Sequence, residues 1–276
     1  MNIEENITKA ARALKEADAI LITAGAGIGV DSGLPDFRGN EGFWKAYPPI
    51  AKLGISFSGM ANPHWFTKNP KLAWAFYGHR LNLYRKTIPH EGFNILLDYS
   101  KSKPGGYFVF TSNVDGHFQK AGFDEDKIAE CHGSIHHLQC IDSCCNDIWN
   151  ADNLSVEVDE ELFEAVEPLP RCIHCESLAR PNILMFGDWG WLEGRTYQQE
   201  ERLGKWLKSL SGKNIAVLEC GAGTSVPTVR YKSESIAATY NGILIRINPR
   251  EYHAPAGSIS IPLNAKEGIT RIYDEL

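Results

Sequence analysis

The sequence predicts an α/β fold built on a parallel sheet, and three observations support this. Four short apolar runs alternate with longer stretches of helical spacing, as expected for strands joined by crossover helices. Glycine or polar residues follow each run, and parallel sheets bind ligands at the carboxyl ends of their strands. Two further stretches interrupt the alternation, and one of them carries two cysteine pairs. We therefore predict a Rossmann-like parallel sheet with a smaller lobe.

The first half of the chain contains two predicted helices and two predicted strands. Residues 1–15 mix Glu, Lys and Arg with Ala, Ile and Leu, as in an amphipathic helix. Residues 17–24 form a mostly apolar run followed by glycine, which is typical of a buried parallel strand. Residues 71–85 place apolar and aromatic side chains at helical spacing. Residues 105–111 form the second apolar run, after a Pro-Gly-Gly break.

The second half of the chain contributes two more predicted strands, at residues 214–220 and 242–248. Two interruptions remain, and we predict that together they form the smaller lobe. Residues 40–102 are aromatic-rich and mostly helical, so they predict a helical insertion. Residues 135–179 carry the cysteines and an acidic segment, so they predict a zinc-binding module.

The large lobe of this single domain would then comprise about residues 1–39, 103–134 and 180–276.

Composition and charge exclude several classes of function. The chain has 276 residues, of which 43% are hydrophobic and 22% charged, as in ordinary globular proteins. A formal net charge of −6 argues against an extended nucleic-acid surface, which needs a basic face. The N-terminus lacks the pattern of a signal peptide, and no apolar run reaches membrane-spanning length. We therefore expect a cytoplasmic protein that binds neither nucleic acid nor a membrane.

Four of the seven cysteines lie at metal-ligand spacing. Cys140 and Cys144 are separated by three residues, and Cys172 and Cys175 by two. In a chain expected in the cytoplasm, this pattern predicts zinc in preference to disulfides. Four thiolates close a tetrahedral site and leave no position for water, so the predicted zinc is structural.

A glycine-rich turn, Gly-Ala-Gly-Ile-Gly at residues 25–29, follows the first predicted strand. Glycines there let backbone N–H groups approach a phosphate, as in dinucleotide-binding turns. Any tight strand-to-helix turn also favours glycine, so this motif alone leaves both interpretations open. The next residues combine Pro, Gly, Asp, Arg and Phe, which favours a ligand-covering loop over a core helix.

From this turn onward the chain resembles the sirtuins, the NAD-dependent protein deacylases. Residues 25–38 match their first motif, with Gly29 in place of Ser and Leu34 in place of Ile. Later motifs follow in the family's order and cover nearly the whole chain. These are Thr-Ser-Asn-Val-Asp-Gly at 111–116, Glu-Cys-His-Gly at 130–133, Phe-Gly-Asp at 186–188, Gly-Thr-Ser at 223–225 and Ile-Asn at 247–248.

The resemblance implies an enzyme that consumes NAD as a co-substrate and releases nicotinamide and O-acyl-ADP-ribose. Its partners would be NAD and an acyl-lysine protein or peptide. His132 would be the general base, because a neutral imidazole accepts a proton from a ribose hydroxyl near pH 7. A lone His is otherwise more often structural, and here its Glu-x-His-Gly context favours the base. The zinc would hold the small lobe together.

The resemblance also implies a cofactor site. Asn113 and Asp115 would hold the nicotinamide ribose and carboxamide and act in catalysis with His132, although an Asx-type turn is the alternative for each. Phe37 would shield the reactive ribose carbon from water. The implied cofactor-binding residues are Gly25, Ala26, Gly27, Asp36, Phe37, Arg38, Ser112, Asn113, Asp115, Gly223, Thr224, Ser225, Asn248 and Ala265. Phe186 and Gly187 would bind the substrate peptide.

A pair of residues on the predicted helix 71–85 bears on the acyl group. Tyr77 and Arg80 are three residues apart and therefore share one helix face. The pair resembles the Tyr-x-x-Arg of the desuccinylase and demalonylase branch, in which the Arg binds an acyl carboxylate by a forked contact. The alternative is an amphipathic helix with a surface Arg and a half-buried Tyr.

The chain departs from the family motifs at three places, and its cysteine spacing departs as well. Ser112 replaces a Gln beside the nicotinamide ribose, and His117-Phe118 replaces Leu-His. Residues 188–191, Asp-Trp-Gly-Trp, replace Glu-x-Leu-Pro at the peptide groove. Cys144 and Cys145 compete for the second zinc position, and Cys144 is the smaller departure in spacing. The altered groove motivates a second hypothesis, a mono-ADP-ribosyltransferase or NAD hydrolase using the same site. A third hypothesis is a non-enzymatic NAD- or zinc-binding module. The intact set of His132, Asn113 and Asp115 argues against it, because a module without activity does not need these residues.

Overall fold

The computed structural model describes residues 2–35 and 39–276, without the side chains of residues 39–41. Its strands are short, and most of the longer ones are fully buried. In chain order the strands of the described residues are Ala19–Ala24 (β1), Tyr107–Thr111 (β2), Ile128–Glu130 (β3), Gly133–Cys140 (β4), Ile148–Asn150 (β5), Val158–Asp159 (β6), Glu164–Ala165 (β7), Ala179–Ile183 (β8), Ile215–Cys220 (β9), Ile243–Ile247 (β10) and Ile259–Ile261 (β11).

A parallel sheet of six strands, in the order β11-β10-β9-β1-β2-β3, forms the centre of the molecule. The predicted α/β fold is confirmed, and all four predicted strands belong to this sheet. The chain builds outward from β1 to β2 and β3, and later returns to the other side of β1 with β9. The register aligns Ala24 with Thr111 on one side and with Cys220 on the other. The polar residues that follow these strands therefore emerge together, where parallel sheets bind ligands.

Helices connect the strands and cover both faces of the sheet. The predicted helices at 1–15 and 71–85 are confirmed as α1 and α6. In chain order the α-helices are Ile3–Glu16 (α1), Gly39–Ala46 (α2), Pro48–Lys52 (α3), Phe57–Met60 (α4), Trp65–Lys68 (α5), Pro70–Lys86 (α6), Glu91–Lys101 (α7), His117–Lys120 (α8), Gly194–Ser209 (α9), Thr228–Thr239 (α10) and Ala265–Tyr273 (α11). No helix among the described residues is both long and apolar enough to cross a membrane.

Alternate residues of the sheet belong to two separate hydrophobic clusters, because successive strand side chains point to opposite faces. Ile20 and Ile22 pack with α1, α7 and α11 on one face. Ala19 and Leu21 pack with α9 and α10 on the other. This double coverage explains why the strands read as continuous apolar runs in the sequence.

A third hydrophobic cluster lies outside the large sheet and joins the two interrupting stretches. It unites helices between residues 43 and 84 with side chains from the cysteine-bearing stretch. There β4 pairs antiparallel with β5 and β8, and β6 pairs with β7. Helix α7, although within the predicted insertion 40–102, packs against the large sheet, because it is the crossover helix that leads into β2. The lobe boundaries themselves stay a prediction.

Candidate active site

Two glycine turns, one after β1 and one after β9, pack backbone against backbone. A Cβ on Gly25 would lie 2.7 Å from the Cα of Ala222. Gly221 has φ of 65°, and a Cβ there would lie 2.3 Å from the backbone nitrogen of Ile28. The Gly27 N–H donates to the Gly221 carbonyl at 3.0 Å. Both positions therefore require glycine, and together they fix the relative position of the two strand ends.

This packing changes the role predicted for the first glycine turn. The N–H groups of Gly25 and Gly27 donate to protein carbonyls and both residues are buried, so these glycines serve chain packing first. Ala26 lies between them and is exposed, and its N–H donates to no acceptor among the described residues. The 3₁₀ helix that follows runs from Ala26 to Ser32. Of the turn, Ala26 is therefore the residue best placed to meet a phosphate.

The end of β2 is tied to the end of β1 by polar side chains. The Thr111 hydroxyl donates to the carbonyl of Ala24 at 3.0 Å and accepts from the N–H of Asn113 at 3.0 Å. The Asn113 side-chain amide donates to the Gly25 carbonyl at 3.1 Å. Asn113 therefore bridges the two turns, and the Asx-turn alternative does not describe it.

Asp115 is held from two sides and is only 8% exposed. One carboxylate oxygen accepts from the N–H of His117 at 2.9 Å, so the Asx-type turn considered for this residue is present. Nε2 of His136 lies 2.9 Å from the Asp115 backbone carbonyl oxygen. The turn therefore uses one of the two carboxylate oxygens.

His132 lies between the end of β3 and the start of β4, next to Ser112. Burial lowers the pKa of His132 below its ordinary 6.5, and a hydrogen bond to the Ser112 backbone opposes this shift. The imidazole is therefore neutral at pH 7, as a general base must be. The carbonyl of His132 accepts from the N–H of Leu184 at 3.0 Å, which joins it to the chain leaving β8. The contact with Ser112 was not foreseen from the sequence, because only the fold brings β2 beside this segment.

The ends of β9 and β10 form the far side of the crevice. Asn248 is fully buried, and its amide donates to the carbonyl of Ala222 at 2.9 Å. Its side-chain oxygen accepts from the N–H groups of Arg250 and Glu251 at 3.0 and 2.9 Å. Asn248 therefore shapes the backbone of this region from within.

Glu251 is a residue that sequence reasoning missed. Its carboxylate accepts from the N–H of Thr224 at 3.2 Å and from the Thr224 hydroxyl, and a Cβ on Gly223 would lie 3.3 Å from it. Acidic side chains commonly bind ribose hydroxyls in dinucleotide sites. The position of Glu251, three residues after the Ile-Asn motif, was therefore a sequence signal that could have identified it.

The remaining residues predicted to bind the cofactor differ in how exposed they are. Gly223 is partly buried, and Thr224 and Ser225 are exposed after β9. Ala265 is the first residue of α11 and is 3% exposed within the same cluster as Ile28. The predictions for Asp36, Phe37 and Arg38 lie outside the described residues.

Phe186 and Gly187, predicted to bind the peptide, lie on the chain that leaves β8. The Phe186 N–H donates to the carbonyl of Ala61 at 2.9 Å, and the side chain is 41% exposed. The following Asp188 forms a buried ion pair with Arg180, whose side chain is 3% exposed. Arg180 was missed by sequence reasoning, because a lone Arg in an apolar strand carries no recognisable signal.

Tyr77 belongs to the third hydrophobic cluster and Arg80 is buried beside its ring, so the surface alternative for this pair is excluded. Tyr77 is 1% exposed, and Arg80 is 6% exposed. The guanidinium donates to the Tyr84 hydroxyl at 3.0 and 2.8 Å. The Tyr77 hydroxyl has no hydrogen-bond partner in the described part of the chain. Burial raises the pKa of Tyr77 to about 12, so it remains a neutral donor.

Cys140, Cys144, Cys172 and Cys175 form one cluster, with all four sulfurs within 4.8 Å of one another. Sγ of Cys140 lies 3.6 Å from Sγ of Cys175, and Sγ of Cys144 lies 3.6 Å from Sγ of Cys172. Zinc–sulfur bonds of about 2.3 Å in a tetrahedron place the sulfurs about 3.8 Å apart, so the cluster fits a structural zinc ion. The cluster includes Cys144 and not Cys145, so its geometry favours Cys144 as the second ligand.

Comparison with known proteins gives the family. Residues 25–199 match the model of the Sir2 family. The chain belongs to the Sir2 family. It is 32% identical over 267 residues to an NAD-dependent protein deacylase of Leptospira interrogans, covering 96% of this chain and 94% of that protein. It is 30% identical over 274 residues to an NAD-dependent protein deacylase of Pyrococcus abyssi, covering 98% of each.

Solved structures of Sir2 proteins share the fold of this Sir2 chain. A Sir2 homologue in complex with NAD aligns with a TM-score of 0.70 at 24% identity, covering 96% of this chain and 92% of that one. A structure described under the mechanism and regulation of Sir2 enzymes aligns with a TM-score of 0.67 at 25% identity, covering 99% and 98%. At these identities the likeness supports the architecture, and residue roles are argued from this chain's own geometry.

Proposed function

We propose that the protein is an NAD-dependent protein-lysine deacylase that releases nicotinamide and O-acyl-ADP-ribose. The observation that carries this proposal is the position of His132, an imidazole kept neutral by burial and held beside Ser112 at the end of β2. Asn113 and Asp115 lie on the same strand end, so a base and two polar groups meet at one edge of the sheet. The curated relatives carry the name of this activity.

NAD would span the crevice between the two halves of the sheet. Its adenosine end fits the residues after β9, where Thr224 and Ser225 are exposed, and Glu251 offers a carboxylate to ribose hydroxyls. Ala26 would meet the phosphates, and the nicotinamide ribose would lie beside Ser112, Asn113 and Asp115.

The chain's own residues then supply the base and the geometry. Bound NAD supplies a ribose carbon that the acyl oxygen of the substrate lysine attacks as nicotinamide leaves. His132 would accept a proton from a ribose hydroxyl at its imidazole, which is the role of a neutral general base. The Asn113 amide is held by Gly25, so it is preorganised and loses little entropy when the ribose binds.

We further propose that acidic acyl groups are preferred. Tyr77 and Arg80 are buried on one face of α6, and the Tyr77 hydroxyl is a donor without a partner among the described residues. A buried polar group without a partner costs free energy, so a ligand that satisfies it gains affinity. A succinyl or malonyl carboxylate would accept from this hydroxyl and from the guanidinium in a charge-assisted contact.

The structure offers no support for transfer or hydrolysis as the main reaction. That alternative was motivated by the altered residues 188–191. Asp188 pairs with Arg180 and holds this loop in place, and the curated relatives carry the deacylase name. We therefore propose deacylation as the main reaction.

Product analysis tests the proposal. With NAD and an acyl-lysine peptide, we expect equal amounts of deacylated peptide, nicotinamide and O-acyl-ADP-ribose by mass spectrometry. ADP-ribosylated protein or free ADP-ribose without deacylated peptide would establish transfer or NAD hydrolysis instead.

We also propose that the protein acts in the cytoplasm, where reduced thiols keep a four-cysteine zinc site intact.

A further inference from the structure

We propose that Trp189 recognises a basic side chain that flanks the acyl-lysine in the protein substrate. This inference rests on the deacylase function proposed above. Trp189 is 99% exposed, more than any other large hydrophobic side chain of the described residues. Tryptophan is a common anchor in recognition surfaces, where its large ring is covered on binding. Its complete exposure leaves both faces of the ring available to a partner.

The loop that carries Trp189 is fixed on its N-terminal side by a buried ion pair. The Asp188 carboxylate pairs with the Arg180 guanidinium. The side chain of Asp188 is 0% exposed and that of Arg180 is 3% exposed. The same carboxylate accepts from the N–H groups of Met185 at 3.3 Å and Gly190 at 3.1 Å. The residues on both sides of Trp189 are thus bound to one buried group.

A second set of contacts holds the loop on its C-terminal side. The Gln139 side chain donates to the carbonyl of Gly190 at 2.7 Å and accepts from the N–H of Leu192 at 3.1 Å. Asn182 donates to the carbonyl of Leu192 at 2.9 Å. Gln139 and Asn182 are both fully buried. Trp189 therefore projects from a rigid base, and its backbone loses little entropy when a partner binds.

The loop continues directly from the candidate active site. The N–H of Leu184 donates to the carbonyl of His132, and the N–H of Phe186 donates to the carbonyl of Ala61. A turn at Phe186 and Gly187, where φ of Gly187 is 68°, leads the chain from there to Trp189. Trp189 follows Leu184 by five residues, and five residues span at most about 18 Å. A peptide whose acyl-lysine is bound beside His132 would thus reach Trp189 within about five residues.

The charge around Trp189 favours a cation. The face of an indole ring attracts cations, and Arg stacks on it with a planar guanidinium. Residues 184–193 contain no Lys or Arg that would repel a basic side chain. Glu193 is exposed on this loop, and the whole chain carries a net charge of −6 that attracts basic segments.

Acyl-lysine peptides that place a single Arg, Leu or Ala at each flanking position test this proposal. We expect Arg to exceed Ala by about two- to thirtyfold in kcat/KM at one position, the range of cation–π contacts. Trp189→Ala should reduce this ratio to about one, and Trp189→Phe should retain part of it. Tyr231→Ala, which removes another exposed aromatic ring on α10, should leave the ratio as in the wild type. A ratio that persists in Trp189→Ala, or a preference for Leu over Arg, overturns the proposal.

Binding measurements separate this inference from the proposed activity. Fluorescence anisotropy reports the affinity of the same labelled peptides for wild type and Trp189→Ala without turnover. If no peptide is deacylated but the wild type binds Arg peptides in a Trp189-dependent way, the deacylase function fails and the recognition stands. If peptides are deacylated and neither assay depends on Trp189, the recognition alone is wrong.

Discussion

At the scale of single residues, the proposed mechanism depends on His132, whose pKa burial lowers. His132→Ala should lower kcat/KM for deacylation by about 100-fold or more, the usual effect of losing a general base. NAD should still bind, because the hydrogen bonds that join the ends of β1 and β2 come from the side chains of Thr111 and Asn113. Steady-state kinetics and NAD titration measure the two effects. Undiminished activity would mean that another group acts as the base.

The pH dependence of the same residue is a second prediction. Burial lowers the pKa of His132 from 6.5, so the imidazole stays unprotonated to lower pH than a free His. The rate should therefore be level at neutral pH and fall only as the pH drops through a midpoint below 6.5. A profile of kcat/KM against pH measures this midpoint. A midpoint above 6.5 would contradict the assigned role or its environment.

Acyl selectivity is also decided by single side chains. If Arg80 binds an acyl carboxylate, the charge-assisted contact contributes roughly 1.5–3 kcal/mol, or about ten- to a hundredfold in rate. Succinyl- and malonyl-lysine peptides should then react faster than acetyl-lysine peptides. Arg80→Met should bring the ratio of kcat/KM values to about one.

Tyr77→Phe is a more conservative variant that tests the same acyl selectivity. It removes a hydroxyl that has no partner among the described residues, so the fold should keep its stability. The preference for acidic acyl groups should fall by about two- to tenfold, the contribution of one hydrogen bond. If the wild-type protein favours acetyl-lysine, the proposal that Tyr77 and Arg80 bind an acyl carboxylate is wrong.

At the scale of elements, the cysteine cluster ties the end of β4 to the segment that leads into β8. Cys172→Ala should reduce bound zinc from one per chain to nearly none and should lower the melting temperature, because the metal would link the end of β4 to a segment outside the strands. Cys145→Ser is the matched control, since its sulfur lies outside the cluster. Metal analysis and thermal melts compare the two variants. Zinc retained in Cys172→Ala, or lost in Cys145→Ser, would reassign the ligands.

At the scale of the whole molecule, the contact between the two glycine turns joins the halves of the sheet. Gly221 and Gly212 both have positive φ, at 65° and 76°. A Cβ on Gly221 would lie 2.3 Å from Ile28, whereas a Cβ on Gly212 would meet nothing within 4 Å. Gly212→Ala should therefore cost only the conformational penalty, about 1–2 kcal/mol. Gly221→Ala should cost more than this and should also weaken NAD binding.

Urea unfolding and NAD titration measure both glycine variants. The comparison cancels the backbone strain that they share and isolates the steric clash. Equal losses of stability in the two variants would show that the close approach of the turns adds nothing.

The sequence by itself determined much of this protein. Apolar runs of five or six residues gave all four long strands of the large sheet, because burial on both faces leaves a local pattern. Motif spacing predicted His132 as the candidate base and named all four cysteines of the cluster, with Cys145 as the competitor of Cys144. These signals are local, so they survive without knowledge of the fold.

The tertiary structure decided the contacts that join distant segments. The three-residue strands β3 and β11 carry too few residues for a pattern and exist only through pairing with β2 and β10. Helical spacing placed Tyr77 and Arg80 on one face, but only packing showed that this face is buried. The contact of His132 with the Ser112 backbone and the ion pair of Asp188 with Arg180 likewise depend on how the chain folds. Side chains meet across a fold through long-range packing, and no local pattern in a sequence records which distant partner will cover them.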